Sequence, residues 1–325
     1  MPHLFFQSFW HIIGKDVVEA IQSFSYSGKM LKAINETIIS LIPKVDFPIN
    51  LAQFRPIALC NTLYKIISKF LVNRLKPFLN LCISENQSAF LPGRQILDNV
   101  TIAHECMHFL KNKNKGKTSF LALKLDMAKA YNRIEWSFLA TIMNKMGFNS
   151  IWIYWIMTCV SSVSFSFILN GSKVGYVKPN RGIRQRDPLS PIFCAEGFSS
   201  LLNHAGREKQ ITGLKIYREG PNISYMFYVD DSIIFCKASS QEVRKVMQII
   251  HKYKAATGQL VNLEKSSVFI RINTSPEIKR DICSNLRNVH CVTQGTYLGL
   301  PMVITKSKNQ IFGVVRDRIK SKILD

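Results

Sequence analysis

Three aspartates carry the chemistry most clearly available to this chain: Asp126, and the adjacent pair Asp230 and Asp231. The sequence holds only 21 acidic residues against 43 Lys and Arg. Two neighbouring carboxylates repel each other and resist low-dielectric walls, so a cation should offset them. Magnesium prefers oxygen ligands in octahedral geometry and usually takes only a few carboxylates, leaving positions for water and substrate phosphates. Two such ions about 4 Å apart would activate an attacking 3′-hydroxyl and stabilise leaving pyrophosphate, the chemistry of nucleotidyl transfer. The plainer alternative for Asp230 and Asp231 is an exposed Asp-containing hairpin turn.

The elements that must position these residues follow from apolar spacing. Phe120 to Asp126 alternates Leu121, Leu123 and Leu125 on one face, predicting a strand that delivers Asp126 to its carboxyl end. Tyr225 to Cys236 reads as two short apolar strands around Val229-Asp230-Asp231. Helical spacing marks 8–40 with a break at Gly28, Ile57 to Leu79, Ile96 to Leu110, Lys129 to Met146, Pro188 to Ala205 and Gln241 to Thr257. Thr37 to Pro43 reads as extended. Val163 to Val177 alternates around Asn170-Gly171, a dipeptide suited to a tight hairpin. Helices packed on a largely antiparallel sheet make an α+β architecture.

Composition narrows the partner. A formal charge of +22 and a pI near 9.8 point to a polyanion, with nucleic acid favoured over an anionic membrane or a merely basic surface. The eight cysteines are scattered without a CxxC pair, which suits reduced thiols and a nuclear or cytoplasmic protein that is not secreted. No secretory leader is evident at the N-terminus, and the apolar stretch 151–169 is interrupted by Ser and Thr, so no membrane span is expected.

Seven ordered blocks carry a resemblance: FRPIALCN at 54–61, QSAFLPGRQILDN at 87–99, LKLDMAKAYNRIEW at 123–136, RGIRQRDPLSP at 181–191, FYVDDSIIF at 227–235, GQLVNLEKSS at 258–267 and YLGLP at 297–301. Together the series resembles the reverse transcriptase region of plant non-LTR (LINE-type) retrotransposons and spans nearly the whole chain. The resemblance implies an RNA-directed DNA polymerase with a right-hand polymerase fold. Its divisions would be a helical lead-in over 1–40, fingers over 41–117, a palm over 118–290 with a finger insertion near 147–180, and the start of a truncated thumb over 291–325.

By the same resemblance, Asp126, Asp230 and Asp231 match the metal-binding aspartates for two Mg2+ ions, with Mn2+ as a substitute. Lys265 matches a lysine proposed to protonate leaving pyrophosphate, Tyr131 an aromatic gate beneath the incoming sugar, and Gln185 a glutamine beside nucleotide and template. Arg55 and Arg94 match basic positions suited to triphosphate or template backbone; a helix cap or surface ion pair stays open for both. The implied partners are an RNA template, a DNA primer and dNTPs, with no obligate protein partner.

Two positions depart from the family pattern. Arg186 stands where glycine is usual, and Asn132 replaces an aspartate. Beside a full element the chain would also lack an upstream endonuclease and an RNase H. These departures leave a second reading open, a catalytically weak or inactive nucleic-acid-binding copy. A maturase-like RNA-folding role is disfavoured by the wording of the blocks. Two further patterns are expected to be structural: His104 and His108, which fit HExxH, and the aromatics Phe5, Phe6, Phe9 and Trp10.

Overall fold

The computed structural model describes residues 3–89, 91, 93–112, 118–128, 132–184, 191–228, 231–287, 289–293, 295–298, 300, 301, 313, 316 and 320. Asp230, Tyr131, Gln185 and Arg186 lie outside these described residues, as does most of 302–325.

In chain order the elements are helices α1 (His3–Ser8) and α2 (Trp10–Ser27), strands β1 (Glu36–Pro43) and β2 (Phe54–Cys60), helices α3 (Thr62–Cys82) and α4 (Ile96–Asn112), and strand β3 (Phe120–Ala128). Helices α5 (Trp136–Lys145) and α6 (Ser150–Ser161) follow, then strands β4 (Ser164–Leu169) and β5 (Ser172–Val177), helix α7 (Pro191–Arg207), and strands β6 (Tyr225–Tyr228) and β7 (Asp231–Lys237). The chain continues through helix α8 (Ser240–Thr257), strands β8 (Leu260–Val261) and β9 (Ser267–Ile270), helix α9 (Pro276–Leu286), and short strands β10 (His290–Cys291), β11 (Thr296–Tyr297) and β12 (Leu300–Pro301). It divides into two compact units.

The first unit comprises Met1–Ile83, Lys129–Cys194 and Ala256–Gln259. Its sheet runs β2-β1-β4-β5, antiparallel except that β1 lies parallel to β4. Helix α2 ends at Gly28, whose φ of 64° supplies the left-handed cap that a side chain would disfavour. The β4–β5 hairpin turns at Asn170 and Gly171 with φ of 49° and 78°, as the dipeptide predicts. Arg184, only 6% exposed, fastens three elements of this unit. Its guanidinium stacks 3.5 Å over the Tyr64 ring of α3 and donates to Thr37 Oγ1 of β1 (3.0 Å) and to the Cys159 carbonyl of α6 (3.3 Å).

Two helix starts differ from the apolar spacing. Ile57 to Cys60 belong to β2, because Phe54 through Cys60 pair residue by residue with Pro43 through Thr37. The helix begins only after Asn61, whose side chain accepts from the Leu63 N–H at 3.0 Å. Likewise α5 begins at Trp136, and the described residues 132–135, which the helical spacing includes, are not helical; 129–131 lie outside the described residues. The Ile134 carbonyl is taken by the Gly182 N–H (2.8 Å), and the Glu135 N–H is spent on the Thr257 carbonyl (2.9 Å), so tertiary bonds outbid helical ones there. Of the N-terminal aromatics, Phe6 is buried, whereas Phe9 and Trp10 are exposed rather than core.

The second unit comprises Ser84–Ala128, Ala195–Ala255 and Leu260–Asp325. Its sheet runs β10-β9-β3-β7-β6, antiparallel except that β10 lies parallel to β9, and β8 pairs with the end of β3. Alternation along β3 sends Leu121, Leu123 and Leu125 to one face, where they pack with Phe198 of α7, Val246 of α8 and Ile282 of α9. Burying each leucine stabilises by roughly 1.5–3 kcal/mol. Phe198 also stacks on Phe227 and Tyr253, at 5.1 and 4.7 Å between ring centroids. The other face carries Ala122, Ile233 and Phe235 against Met107 and Leu110 of α4. The architecture is α+β, as the spacing predicts.

Candidate active site

The strand expected to deliver Asp126 does so, and the register decides what it meets. Asp126 of β3 lies directly opposite Asp231 of β7, and Asp231 lies directly opposite Tyr228 of β6. Directly opposed residues of an antiparallel pair project from the same face with Cβ atoms about 5 Å apart. Two carboxylates therefore share one end of the α4 face of the sheet.

Like charges placed directly opposite are destabilising, and the fold offsets them with a lysine that the apolar spacing and the block resemblance do not single out. Lys124 Nζ stands 3.6 Å from Asp231 Oδ1 and donates to the Thr296 carbonyl at 2.6 Å. The signal for it was present: Lys124 precedes Asp126 by two residues, so strand alternation puts both on one face.

The backbone of Asp126 is fixed from the sixth block. Its N–H donates to Ser266 Oγ (3.1 Å), and its carbonyl accepts the Asn262 N–H (2.8 Å). Ser266 Oγ in turn donates to the Asn262 carbonyl at 2.7 Å. Lys265 sits in the same turn with its side chain exposed and its N–H bonded to Asn262 Oδ1 at 3.3 Å.

Asn99, in the second block, joins it to two others, the fifth and the seventh. Its side-chain nitrogen donates to the Phe227 carbonyl (3.1 Å) and the Tyr297 hydroxyl (3.4 Å), while its Oδ1 accepts from Ser88 Oγ (2.6 Å). Burial pushes the Tyr297 phenol up, keeping it neutral. Ser88 N–H reaches the same Phe227 carbonyl at 3.2 Å. The strand that leads to Asp231 is thereby held at its Phe227 carbonyl by Asn99 and Ser88 together.

Arg94 also works inside this unit. Its Nη1 donates to the Ser84 carbonyl (2.6 Å) and to the Gln87 carbonyl, closing the loop that begins the second block. Glu196 Oε2 accepts the Ser84 N–H at 2.9 Å, and burial pushes this carboxyl up against the opposing pull of Ser84 and Arg94. Arg55 lies exposed on β2, opposite Ile42.

In the first unit, the third and fourth blocks interlock. Gly182 has φ of 83°, and a Cβ there would stand 2.6 Å from the Asn132 carbonyl oxygen, so only glycine fits. Trp136 Nε1 donates to the Gly182 carbonyl at 2.7 Å. Asn132 is thus met by its backbone, and its side chain is exposed.

The HExxH pattern falls on α4. Cys106 is buried and His104 half-buried, while His108 is exposed and shares a 2.6 Å hydrogen bond with Asn112. Among the described residues no group of three His, Cys, Asp or Glu side chains is placed to hold a metal; Asp230, the third member of the expected set, lies outside them. No helix of the described residues is long and apolar enough to cross a membrane.

A family model for reverse transcriptase (RNA-dependent DNA polymerase) matches residues 42–302. The chain belongs to the reverse transcriptase family. This reverse transcriptase region is 28% identical over 285 residues to the transposon TX1 uncharacterized 149 kDa protein of Xenopus laevis, covering 86% of the chain and 21% of that protein. It is 22% identical over 228 residues to the retrovirus-related Pol polyprotein from type-1 retrotransposable element R2 of Nasonia vitripennis, covering 70% of the chain and 21% of that protein. The chain thus spans about a fifth of the length of these relatives. Among solved structures it is similar to apo telomerase from Candida tropicalis, with a TM-score of 0.55 and 14% identity over 93% of this chain and 54% of that one. That likeness places the fold with the polymerase architecture expected from the blocks.

Proposed function

We propose that the chain is the RNA-directed DNA polymerase region of a LINE-type retrotransposon, adding dNTPs to a primer 3′-hydroxyl on an RNA template. The observation that carries this reading is the direct opposition of Asp126 and Asp231 across β3 and β7, with Lys124 beside them. The plant assignment within that family rests on the wording of the seven blocks.

The donor set fits divalent magnesium. It is all oxygen, it comes from adjacent strands of one rigid sheet, and it brings two like charges together that nothing but a cation would favour. Asp126, Asp231 and, by resemblance, Asp230 would hold the ions. When bound, the metal lowers the pKa of the attacking hydroxyl and stabilises charge on the leaving group.

The remaining roles belong to the chain's own groups. Ser266 and Asn262 orient Asp126 through its backbone. Lys265, exposed in the same turn, supplies a proton to departing pyrophosphate. Lys124 holds Asp231 in place and keeps the carboxylate pair tolerable before substrate arrives. Tyr131 and Gln185 contact sugar and template, Arg55 the triphosphate or template backbone, and Arg94 acts through the loop its guanidinium closes. By the same resemblance the functional divisions are a helical lead-in over 1–40, fingers over 41–117, palm over 118–290 with a finger insertion near 147–180, and the start of the thumb over 291–325.

Primer extension on an RNA template with Mg2+ tests the reading. Extension by the native chain and its loss in Asp231→Asn support it; equal extension by both overturns it. Arg186→Gly in the same assay measures the cost of the bulky cation. A large gain would identify a copy weakened at that position, and equal, robust extension would remove Arg186 from consideration.

A further inference from the structure

Helices α8 and α9 border a groove of about 650 Å³ that the polymerase reading does not use. Four Lys or Arg side chains line it: Arg244, Lys252 and Lys254 from α8, and Arg287 at the end of α9. All four are exposed, and His251 and Gln248 lie among them. No carboxylate and no Phe, Tyr or Trp is among the lining residues, and Met247, Ile250, Val261 and Leu263 form its apolar part.

The placement separates this groove from the aspartates. α8 and α9 pack on the sheet face that carries Leu123, whereas Asp126 and Asp231 stand on the face that carries Ala122 and Ile233. From Arg244 to Lys254 the helix extends about 15 Å, at about 1.5 Å per residue. A phosphodiester backbone presents a charge about every 3.4 Å per strand, so a run of this length meets several phosphates.

We propose that the α8–α9 groove binds the phosphate backbone of a nucleic-acid duplex, as a second site distinct from the one that holds the reacting primer end. Cations without counter-charges in the lining match a polyanion, and with no Phe, Tyr or Trp there, His251 alone makes no platform for successive stacked bases, which favours a duplex over a single strand. Binding there is insensitive to sequence and strongly dependent on salt. The groove also adjoins the machinery that positions Asp126. Val261 and Leu263 flank Asn262, whose N–H holds the Asp126 carbonyl at 2.8 Å.

The test uses the full chain with its primer–template site saturated, then titrates a labelled short blunt duplex, RNA in one arm and DNA in the other. The native chain takes up this second duplex, while the triple variant Arg244→Ser, Lys252→Ser, Arg287→Ser does not. Before saturation, the slope of log affinity against log salt for duplex DNA falls in the variant by about 2 to 3, at about 0.9 for each phosphate that is no longer neutralised. An unchanged melting temperature, together with retained binding in Arg244→Lys, Arg287→Lys, shows that charge rather than folding is responsible. A single duplex per native chain, an unchanged salt slope in the triple variant, or capture of a poly-glutamate peptide in preference to both duplexes overturns the proposal. Binding of the second duplex is read without primer extension, so a chain that fails to polymerise still answers the question.

Discussion

Asp126 and Asp231 face one another across the β3–β7 ladder, and Lys124, two residues earlier on the same face, reaches the second of them. Strands place the carboxylates together; only a cation makes the arrangement tolerable. A site built this way trades stability for function.

The trade is measurable by urea unfolding in the presence of a chelator. Asp126→Asn or Asp231→Asn removes one of two directly opposed charges and is expected to leave stability unchanged or raise it by about 0.2–1 kcal/mol. Both substitutions are expected to abolish primer extension. Added Mg2+ should raise the melting temperature of the native chain and not that of either variant.

Gly182→Ala tests the interlock of the third and fourth blocks. The new Cβ meets the Asn132 carbonyl oxygen at 2.6 Å with φ held at 83°. Destabilisation of roughly 1–3 kcal/mol is expected, read as a lower midpoint in thermal or urea unfolding. A midpoint equal to the native one would show that the segment shifts without cost.

Glu196 gives a pH dependence with a definite sign. Burial raises its pKa above the ordinary value near 4.5, so between the ordinary and the raised pKa the folded chain binds more proton than the unfolded one. The contribution of Glu196 to stability is therefore full at acidic pH and is lost as pH rises through that window. Glu196→Gln keeps an oxygen for the Ser84 N–H and no longer titrates. The stability of this variant relative to the native chain should climb with pH across the window, as measured by urea unfolding at a series of pH values.

Thiol reactivity should follow burial. Burial pushes Cys106 up to about 12 and Cys236 higher still, whereas Cys291 is exposed. Iodoacetamide is expected to label Cys291 first, with Cys106 and Cys236 modified only on unfolding, as peptide mass spectrometry would show.

Legibility in the sequence followed the range of the interaction. The β4–β5 hairpin was readable because Asn170 and Gly171 adopt the positive φ values their side chains allow locally. The helical spacing that begins at Ile57 does not mark the start of α3, because Ile57 to Cys60 obey a partner strand that no local spacing records. The helical spacing also covers 132–135, where no helix forms because Ile134 and Glu135 give their backbone groups to Gly182 and Thr257. Arg184 lies in the fourth block, but nothing in the sequence marks it for burial. Its burial depends on Tyr64, Thr37 and Cys159 converging from three separate elements.

The sequence by itself determined which residues could do chemistry and, through the two-residue period of a strand, that Lys124 and Asp126 share a face. It also carried the order of the seven blocks and hence the family. Only the tertiary structure decided that Asp126 meets Asp231, that Lys124 reaches Asp231, and that Ser266, Asn262 and Asn99 hold the strands in place. The reason is physical. Alternation is local and needs no partner, whereas register and side-chain networks exist only when distant segments pair, and slipping that pairing by one residue would turn each side chain of the strand to the opposite face.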